Sequence, residues 1–511
     1  MNFILALFLI LSSFLLPART SAEEILRYEI TDLKVDGVVT GVLPGDLNGD
    51  GRRDILVLHS AGDILRVDHY ISVFYQWKDQ SFSTAADQSW KVDSLAQAVA
   101  LEPVPPDESA DIFYLRRDGV FRYTCSGGRF DSLGEALIAR PTLFVASESE
   151  RLLPLESFGE LDRQGKSWIN LPGVGSVVQY VRKAPGHYEA VDSVSYRLKS
   201  RMLSGMYDLK SEGTMNVRQV LSIPRIATGS LRADSGQDLI LLYTGELEGY
   251  FRGESGFALH PDLVMEYDLA AGAQRGEGNT IIQPVLQDLN GDGYSDVVIT
   301  KQEGEGLSGF KTTLDIYFGP LAGGKGSYPA QRSVFEDSFS YAIIFDDLDG
   351  DGLLEMAIPT IKVGVFDLIR ILTTQTLKVK IEIYKLGVNG LYPEMPRYIH
   401  EIKAGLDFGG GGTGEVVGEL VNANGDHLKD LVVSLKPDRL SIVLGKGGSG
   451  PRFFERKPAV ELQTIKGVEI ESADLTGNGL DDLIATFGTS GEGVGVIRLY
   501  LNHAGTHPAS E

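Results

Sequence analysis

The chain is poor in several things at once, and each shortage removes a class of answer. Cys125 is the only cysteine in 511 residues, so no internal disulfide can hold the fold together. Basic residues are outnumbered, 47 Lys and Arg against 70 Asp and Glu, for a formal charge of -23 and a pI near 4.8. Binding to a phosphate backbone needs clustered cations, so nucleic acid is not the expected partner. There is no His-Glu-x-x-His, no Gly-x-Ser-x-Gly, no phosphate loop and no Cys-x-x-Cys-His, which removes the common sequence signatures of metalloprotease, hydrolase, nucleotidase and haem chemistry. No Asn-x-Ser/Thr acceptor occurs, which agrees with a prokaryotic source.

Long apolar runs are also missing, apart from the first residues. Met1 to Ala22, "MNFILALFLILSSFLLPARTSA", has a short apolar core followed by the small residues Thr20, Ser21 and Ala22. The pattern predicts a signal peptide over 1–22, the core being shorter than the roughly 20 residues a membrane span needs; an uncleaved anchor is the alternative. No cysteine follows the core, which argues against a lipid anchor. Cleavage would remove only Arg19 from the charge count, leaving 46 basic against 70 acidic residues, a charge of -24. The expectation is an exported bacterial protein, periplasmic, extracellular or on the cell surface, soluble and with no transmembrane span in the mature chain.

What the chain has in quantity is glycine, 60 residues, and a repeat. "DLNGDGRRDILVL" at Asp46 returns as "DLNGDGYSDVVIT" at Asp288, "DLDGDGLLEMAIP" at Asp347, "NANGDHLKDLVVS" at Asn422 and "DLTGNGLDDLIAT" at Asp474. Degraded copies start at Pro103, Glu160 and Ser230. Successive starts are 57, 57, 70, 58, 59, 75 and 52 residues apart, the regularity of a repeat architecture. Within each unit an alternating stretch leads into the polar loop, an apolar run follows, then a second alternating stretch such as "HYISVFYQW" or "GVIRLYLNH". About four strands per unit predict an all-β propeller, one domain over 23–511, with eight blades favoured. Two junctions, about 173–226 and 361–418, are long; longer blade hairpins are the simpler reading, a decorated face the alternative, and Val365 to Leu372 allows a helix.

The loop places Asp46, Asn48 and Asp50 at positions 1, 3 and 5, the Arg52 carbonyl at 7 and Asp54 at 9. Alternate oxygen donors around a turn that glycine permits can converge on one point, and hard oxygens select Ca²⁺ over soft metals. EF-hand and dockerin loops begin alike but close with a carboxylate at position 12 and enter a helix. Here position 12 is Val57, Ile299, Ile358, Val433 or Ala485, and position 9 carries Asp54, Asp296, Glu355, Asp430 or Asp482 ahead of a β-rich run. The pattern is therefore a calcium loop between two strands.

This D-x-[DN]-G-D-G-x-x-[DE] loop followed by a strand, repeated at about 60 residues, resembles the FG-GAP and VCBS repeats of integrin α-subunit-like β-propellers, as do "YFGPLAGG" at Tyr317 and "LYLNHAG" at Leu499. The integrin type has seven blades, which makes seven the alternative count. The resemblance implies Ca²⁺ ligands at Asp46, Asn48, Asp50, Arg52 (carbonyl) and Asp54; at Asp288, Asn290, Asp292, Tyr294 (carbonyl) and Asp296; and at Asp347, Asp349, Asp351, Leu353 (carbonyl) and Glu355. It implies two weaker sites, with only two carboxylates each: Asn422, Asn424, Asp426, Leu428 (carbonyl) and Asp430, where His427 replaces a glycine, and Asp474, Thr476, Asn478, Leu480 (carbonyl) and Asp482. The Ser230 loop, with Arg232 at position 3, and the Glu160 loop, with Trp168 at position 9, are not expected to bind metal.

Other motifs reduce to turns. "GKGGSG" at Gly445 matches a dinucleotide fingerprint but runs into "PRFFERKP" rather than a helix, and "FGGGGTG" at Phe408 is a turn before a strand. The eight histidines, at 59, 69, 187, 260, 400, 427, 503 and 507, have no ligand spacing. The functional expectation is a monomeric, non-catalytic binding or adhesion scaffold for a protein or glycan. The alternative is a propeller enzyme, a polysaccharide lyase or hydrolase, working at the central channel.

Overall fold

A computed structural model describes residues 26–503 except 64–65, 103, 106–107, 144–152, 155–158, 162–165, 197–198, 206–215, 223, 233–236, 244, 254–255, 267–280, 304–310, 322–328, 337–342, 361–375, 406–417, 437, 448–449 and 490. The signal-peptide expectation, the helix at 365–372 and the glycine run at 408–414 lie outside the described residues. Among these residues every regular element is a strand, and no helix is long and apolar enough to cross a membrane.

The strands make eight blades, each an antiparallel meander around a hairpin that carries one copy of the repeat loop. In blade 1, Val38–Gly45, Asp54–Asp63, Arg66–Phe74 and Gln88–Lys91 pair in chain order. The loops starting at Pro103, Glu160 and Ser230 occupy the same first hairpin in blades 2, 3 and 4, between Ala98–Leu101 and Ile112–Arg116, Gly159–Leu161 and Ser167–Gly173, and Arg225–Gly229 and Asp238–Leu242. Blade 2 gains a fifth strand, Leu153–Pro154, parallel to Ala98–Leu101. The first long junction supplies the last two strands of blade 3, Ser176–Ala184 and His187–Ser195, and then a hairpin outside the blades, Lys199–Gly205 with Asn216–Ser222. The extra length there is thus largely an inserted hairpin and not a longer blade.

Period-two alternation puts successive side chains of a strand on opposite faces, and here both faces meet a neighbouring blade. Ile55 and Val57 pack on Ile484, Ile497 and Leu499 of blade 8, while Leu56 and Leu58 pack on Val99, Ile112 and Tyr114 of blade 2. That is why the run after the loop is apolar on both faces in every blade but the third, where Asn170 interrupts it. The same division recurs around the molecule: Phe113 with Ile169, Val177 with Leu241, Ile240 with Val297, Val298 with Ile358, Ala357 with Val433, and Val432 with Leu483. Eight interfaces for eight blades close the ring.

The chain closes it with its own beginning. Tyr28–Lys34 is the outer strand of the last blade, paired antiparallel to Val496–Asn502 from Tyr28↔Asn502 to Lys34↔Val496, with Arg498 holding Asp32 through both carboxylate oxygens at 2.7 and 2.9 Å. Leu33, fully buried, sits in the core shared by blades 8 and 1. A chain beginning at Val35 should therefore melt at least 10 °C lower than one beginning at Glu23, and a synthetic peptide spanning 26–36 should restore most of the loss. Equal melting temperatures would show that closure does not depend on this strand.

Candidate metal centre

The position-9 acid begins the second strand of its blade and is buried, and its two oxygens do different work. Asp54 Oδ2 accepts the Leu47 N–H at 3.0 Å, inside its own loop, and Oδ1 accepts the Gln76 N–H at 2.9 Å, just past the third strand. Asp296 takes Leu289 and Gly319, Asp430 takes Ala423 and Gly445, and Asp482 takes Leu475 and Asn502 in the same way, all at 2.5–2.9 Å. Asp238 in the degraded loop of blade 4 takes Leu231 and Arg252 at 3.1 and 3.0 Å, and Asp111 in blade 2 accepts from the Cys125 backbone. The sequence signal for this clasp is an acid directly before the apolar run. It is present in the degraded loops of blades 2 and 4, and reading it only as a metal ligand missed its wider role.

The first half of each loop aims oxygens inward. Asp46 Oδ1 accepts the Gly49 N–H at 2.7 Å and Oδ2 the Gly51 N–H at 2.8 Å, Asn48 Oδ1 accepts the Asp50 N–H, and Asp50 Oδ1 the Arg52 N–H, both at 3.0 Å. Asp288, Asn290 and Asp292 repeat this, their last bond coming from Tyr294. Asp347 and Asp351 do so with Gly352 and Leu353. In the weaker pair, Asn422 and Asp426 accept from Gly425 and Leu428, and Asp474 and Asn478 from Gly479 and Leu480. The turn needs left-handed backbone at positions 4 and 6: Gly49 and Gly51 both have φ of 78°. His427 adopts φ 69° at position 6, a conformation that costs a side-chain-bearing residue about 1–2 kcal/mol.

Adjacent loops are tied to each other by backbone. The position-8 N–H of Ala110, Ser295, Leu354, Lys429 and Asp481 donates to Asp46, Ser230, Leu289, Leu348 and Asn422 of the preceding loop, at 2.8–3.0 Å. At the closure the Gln76 amide donates instead to the Leu475 carbonyl, at 3.0 Å. Blade 3, with Trp168 at position 9, is joined to blade 2 differently: Ser167 Oγ and Tyr188 OH lie 3.0 Å apart, Tyr188 donates to buried Glu102 at 2.9 Å, and Arg182 pairs with Glu102.

The donors are oxygens without thiolate or imidazole, which suits a hard divalent cation such as Ca²⁺. Ligand oxygens of Asp347, Asp349 and Glu355 lie within 4.8 Å of one another, and Asp349 Oδ1 and Glu355 Oε1 are buried without a hydrogen bond, as is Thr476 Oγ1 at position 3 of the last loop. These oxygens are of the kind the ion takes, although the Lys385 ammonium already reaches into the Asp347 set, 2.8 Å from Asp351 Oδ2. Blade 4 does not fit, because the Arg232 guanidinium stands 3.6 Å from Asp238 Oδ1 and over the Phe251 ring, and its loop has no second carboxylate at position 1 or 3; in blade 2 Arg122 holds Asp111 at 3.0 Å.

No protein-family model matches the chain, and no curated protein matches it. Among solved structures it is similar to Sqt1 from Chaetomium thermophilum, at 11% identity and a TM-score of 0.44 over 94% of this chain and all of that one. A protein from Lactobacillus plantarum gives 11% and 0.30 over 78% of this chain and 93% of that one. The S. cerevisiae core factor gives 9% and 0.35 over 80% and 59%. Likenesses this distant carry no argument about function, and the eight-bladed ring rests on its strand pairing and its eight interfaces.

Burial lifts the clasp acids, with the neighbouring loop carboxylates pushing the same way and the backbone N–H bonds opposing: Asp54 and Glu355 to about 7, Asp296 and Asp430 to about 6. A carboxyl raised on folding contributes stability that is present below its unfolded value near 4 and lost as pH rises through the folded value. In metal-free protein, the stability of the wild type relative to Asp54→Asn is expected to fall from pH 4 to pH 7, and urea unfolding at pH 4, 5.5 and 7 measures it; a rise across that window would contradict the assignment. The clasp itself is tested in blade 4. Asp238→Ala leaves two N–H groups without an acceptor, at about 1–3 kcal/mol each, so a loss of about 2–5 kcal/mol is expected, equal with calcium and with chelator.

Proposed function

We propose that this protein is an exported, calcium-stabilised propeller of the FG-GAP/VCBS type that works as a monomeric binding scaffold, holding a surface toward an anionic protein or glycan partner without catalysing a reaction. Calcium in the Asp46 and Asp288 loops, and more weakly in the Asn422 and Asp474 loops, would neutralise carboxylates that otherwise repel one another beside the blade junctions. That matters in a chain whose single cysteine leaves no disulfide to do it.

One observation carries the binding reading. Between the outer strand of blade 6, Tyr398–Gly405, and the 451–458 segment of blade 7 runs a groove of about 800 Å³. It is lined by Arg397, Lys403, Arg452 and Arg456, a cluster of cations on a chain of charge -23. The acid on its wall, Glu401, is held by Lys378 at 2.8 Å. Apolar side chains rise beside the cations: Ile399 is 40% and the neighbouring Met395 76% exposed. Arginines set among exposed apolar groups are the composition of a recognition surface, and their charge selects carboxylate, sulfate or phosphate groups.

The probes are a sulfated glycan, heparin, and an acidic polypeptide, polyglutamate, each immobilised, with neutral dextran as control. The wild type is expected to bind one of the anionic polymers with an affinity that falls as salt rises, and Arg397→Glu with Arg456→Glu should weaken it at least tenfold. The two anionic arms tell glycan from protein chemistry. Failure to bind either, or equal binding by the charge-reversed variant, would overturn this surface.

A further inference from the structure

Blade 6 breaks the clasp rule. Glu355, 1% exposed, keeps the inner bond, Oε2 to the Leu348 N–H at 2.9 Å, but its other oxygen accepts no backbone N–H, and Oε1 is left buried without a hydrogen bond. Asp54, Asp296, Asp430 and Asp482 all fill that second place. The residue that comes opposite the clasp acid, the one after the third-strand partner of the first apolar residue, differs too. It is Tyr75, Phe318, Leu444 and Leu501 in blades 1, 5, 7 and 8, and Lys385 in blade 6. Its ammonium enters the loop, in contact with Asp349 Oδ2, 2.8 Å from Asp351 Oδ2 and 3.5 Å from Glu355 Oε1. Those are positions 3, 5 and 9.

We propose that Lys385 is an internal cation that competes with a divalent ion for the Asp347 loop. This rests on reading the loops as Ca²⁺ sites. With Asp347, Asp349, Asp351 and Glu355 the loop has four carboxylates, against three each in the Asp46 and Asp288 loops, so charge count alone ranks it the tightest. The ammonium reverses the ranking. It uses the same oxygens a metal would, and a divalent ion placed among them would sit against a like charge in a partly desolvated pocket, so the ion binds only by expelling the lysine. Blade 4 shows the same substitution carried further, with Arg232 beside Asp238. The Asp347 loop is thereby an exchangeable site, held in shape by its own side chain when calcium is scarce and taken by the metal when it is abundant, while the Asp288 loop, and the Asp46 loop in which Arg52 contacts one oxygen of Asp50 where Lys385 reaches three carboxylates, fill first.

Calcium titration by calorimetry on the full chain tests this in the wild type, in Lys385→Met, which removes the charge and offers no oxygen, and in Lys385→Arg, which keeps the charge. The expected result is one site at least tenfold tighter in the Met variant and an unchanged profile in the Arg variant. Lys385→Gln is measured in parallel and is expected to tighten as Met does, should the Met variant fail to fold without metal. If the wild type binds calcium and neither neutral variant tightens any site, the competitor role is wrong and the calcium reading stands. If no variant binds calcium at all, both fall together.

Discussion

In five of the eight blades a carboxylate with no access to water, Asp54, Asp238, Asp296, Asp430 or Asp482, holds the hairpin in shape. At Asp54 one oxygen fixes the start of the polar loop and the other fixes the chain leaving the third strand, so three of the four strands are referred to a single side chain. Burying an acid is costly unless its oxygens are bonded, and two backbone N–H donors meet that need here. The cost is not wholly removed: burial pushes the carboxyls of Asp54, Asp296 and Asp430 upward and so resists their ionisation. A residual demand for positive charge at the first hairpin therefore follows from how the blade is built.

The blades meet that demand in different ways. Arg122 serves blade 2, Arg232 blade 4 and Lys385 blade 6, and Arg52 contacts Asp50 in blade 1; in the function proposed above, the Asp46 and Asp288 loops would offer their oxygens to a divalent ion. At five junctions the position-8 N–H of one loop bonds the loop before it, so neighbouring hairpins are tied together through backbone. The ring is then closed by a strand from the other end of the chain, so cooperativity does not require a disulfide.

The repeat could be seen in the sequence because its punctuation is local. Glycines at positions 4 and 6 are needed for a left-handed turn, and Gly49, Gly51, Gly291 and Gly293 all adopt it. The apolar run after the loop, unbroken in every blade but the third, is equally local evidence, since both faces of that strand are covered. The hairpin between Lys199 and Ser222 was not legible as a separate unit, because its alternation is the same as that of a blade strand. Position 9 was visible as an acid in blades 2 and 4 too, but its second bond joins residues 14 to 23 apart in sequence, a distance that spacing rules do not reach.

By itself, then, the sequence determined the strand content, the number of repeating units and the polar loop at the head of each, all consequences of backbone preferences and hydrophobic period acting over a dozen residues. Only the tertiary structure decided that the position-9 acid is a clasp between two backbone segments, that Lys385 stands inside the most acidic loop, and that Arg397 and Arg456, 59 residues apart, line one groove. Each of these depends on which chains the closed ring brings side by side, and contact between distant segments is set by packing and not by local propensity.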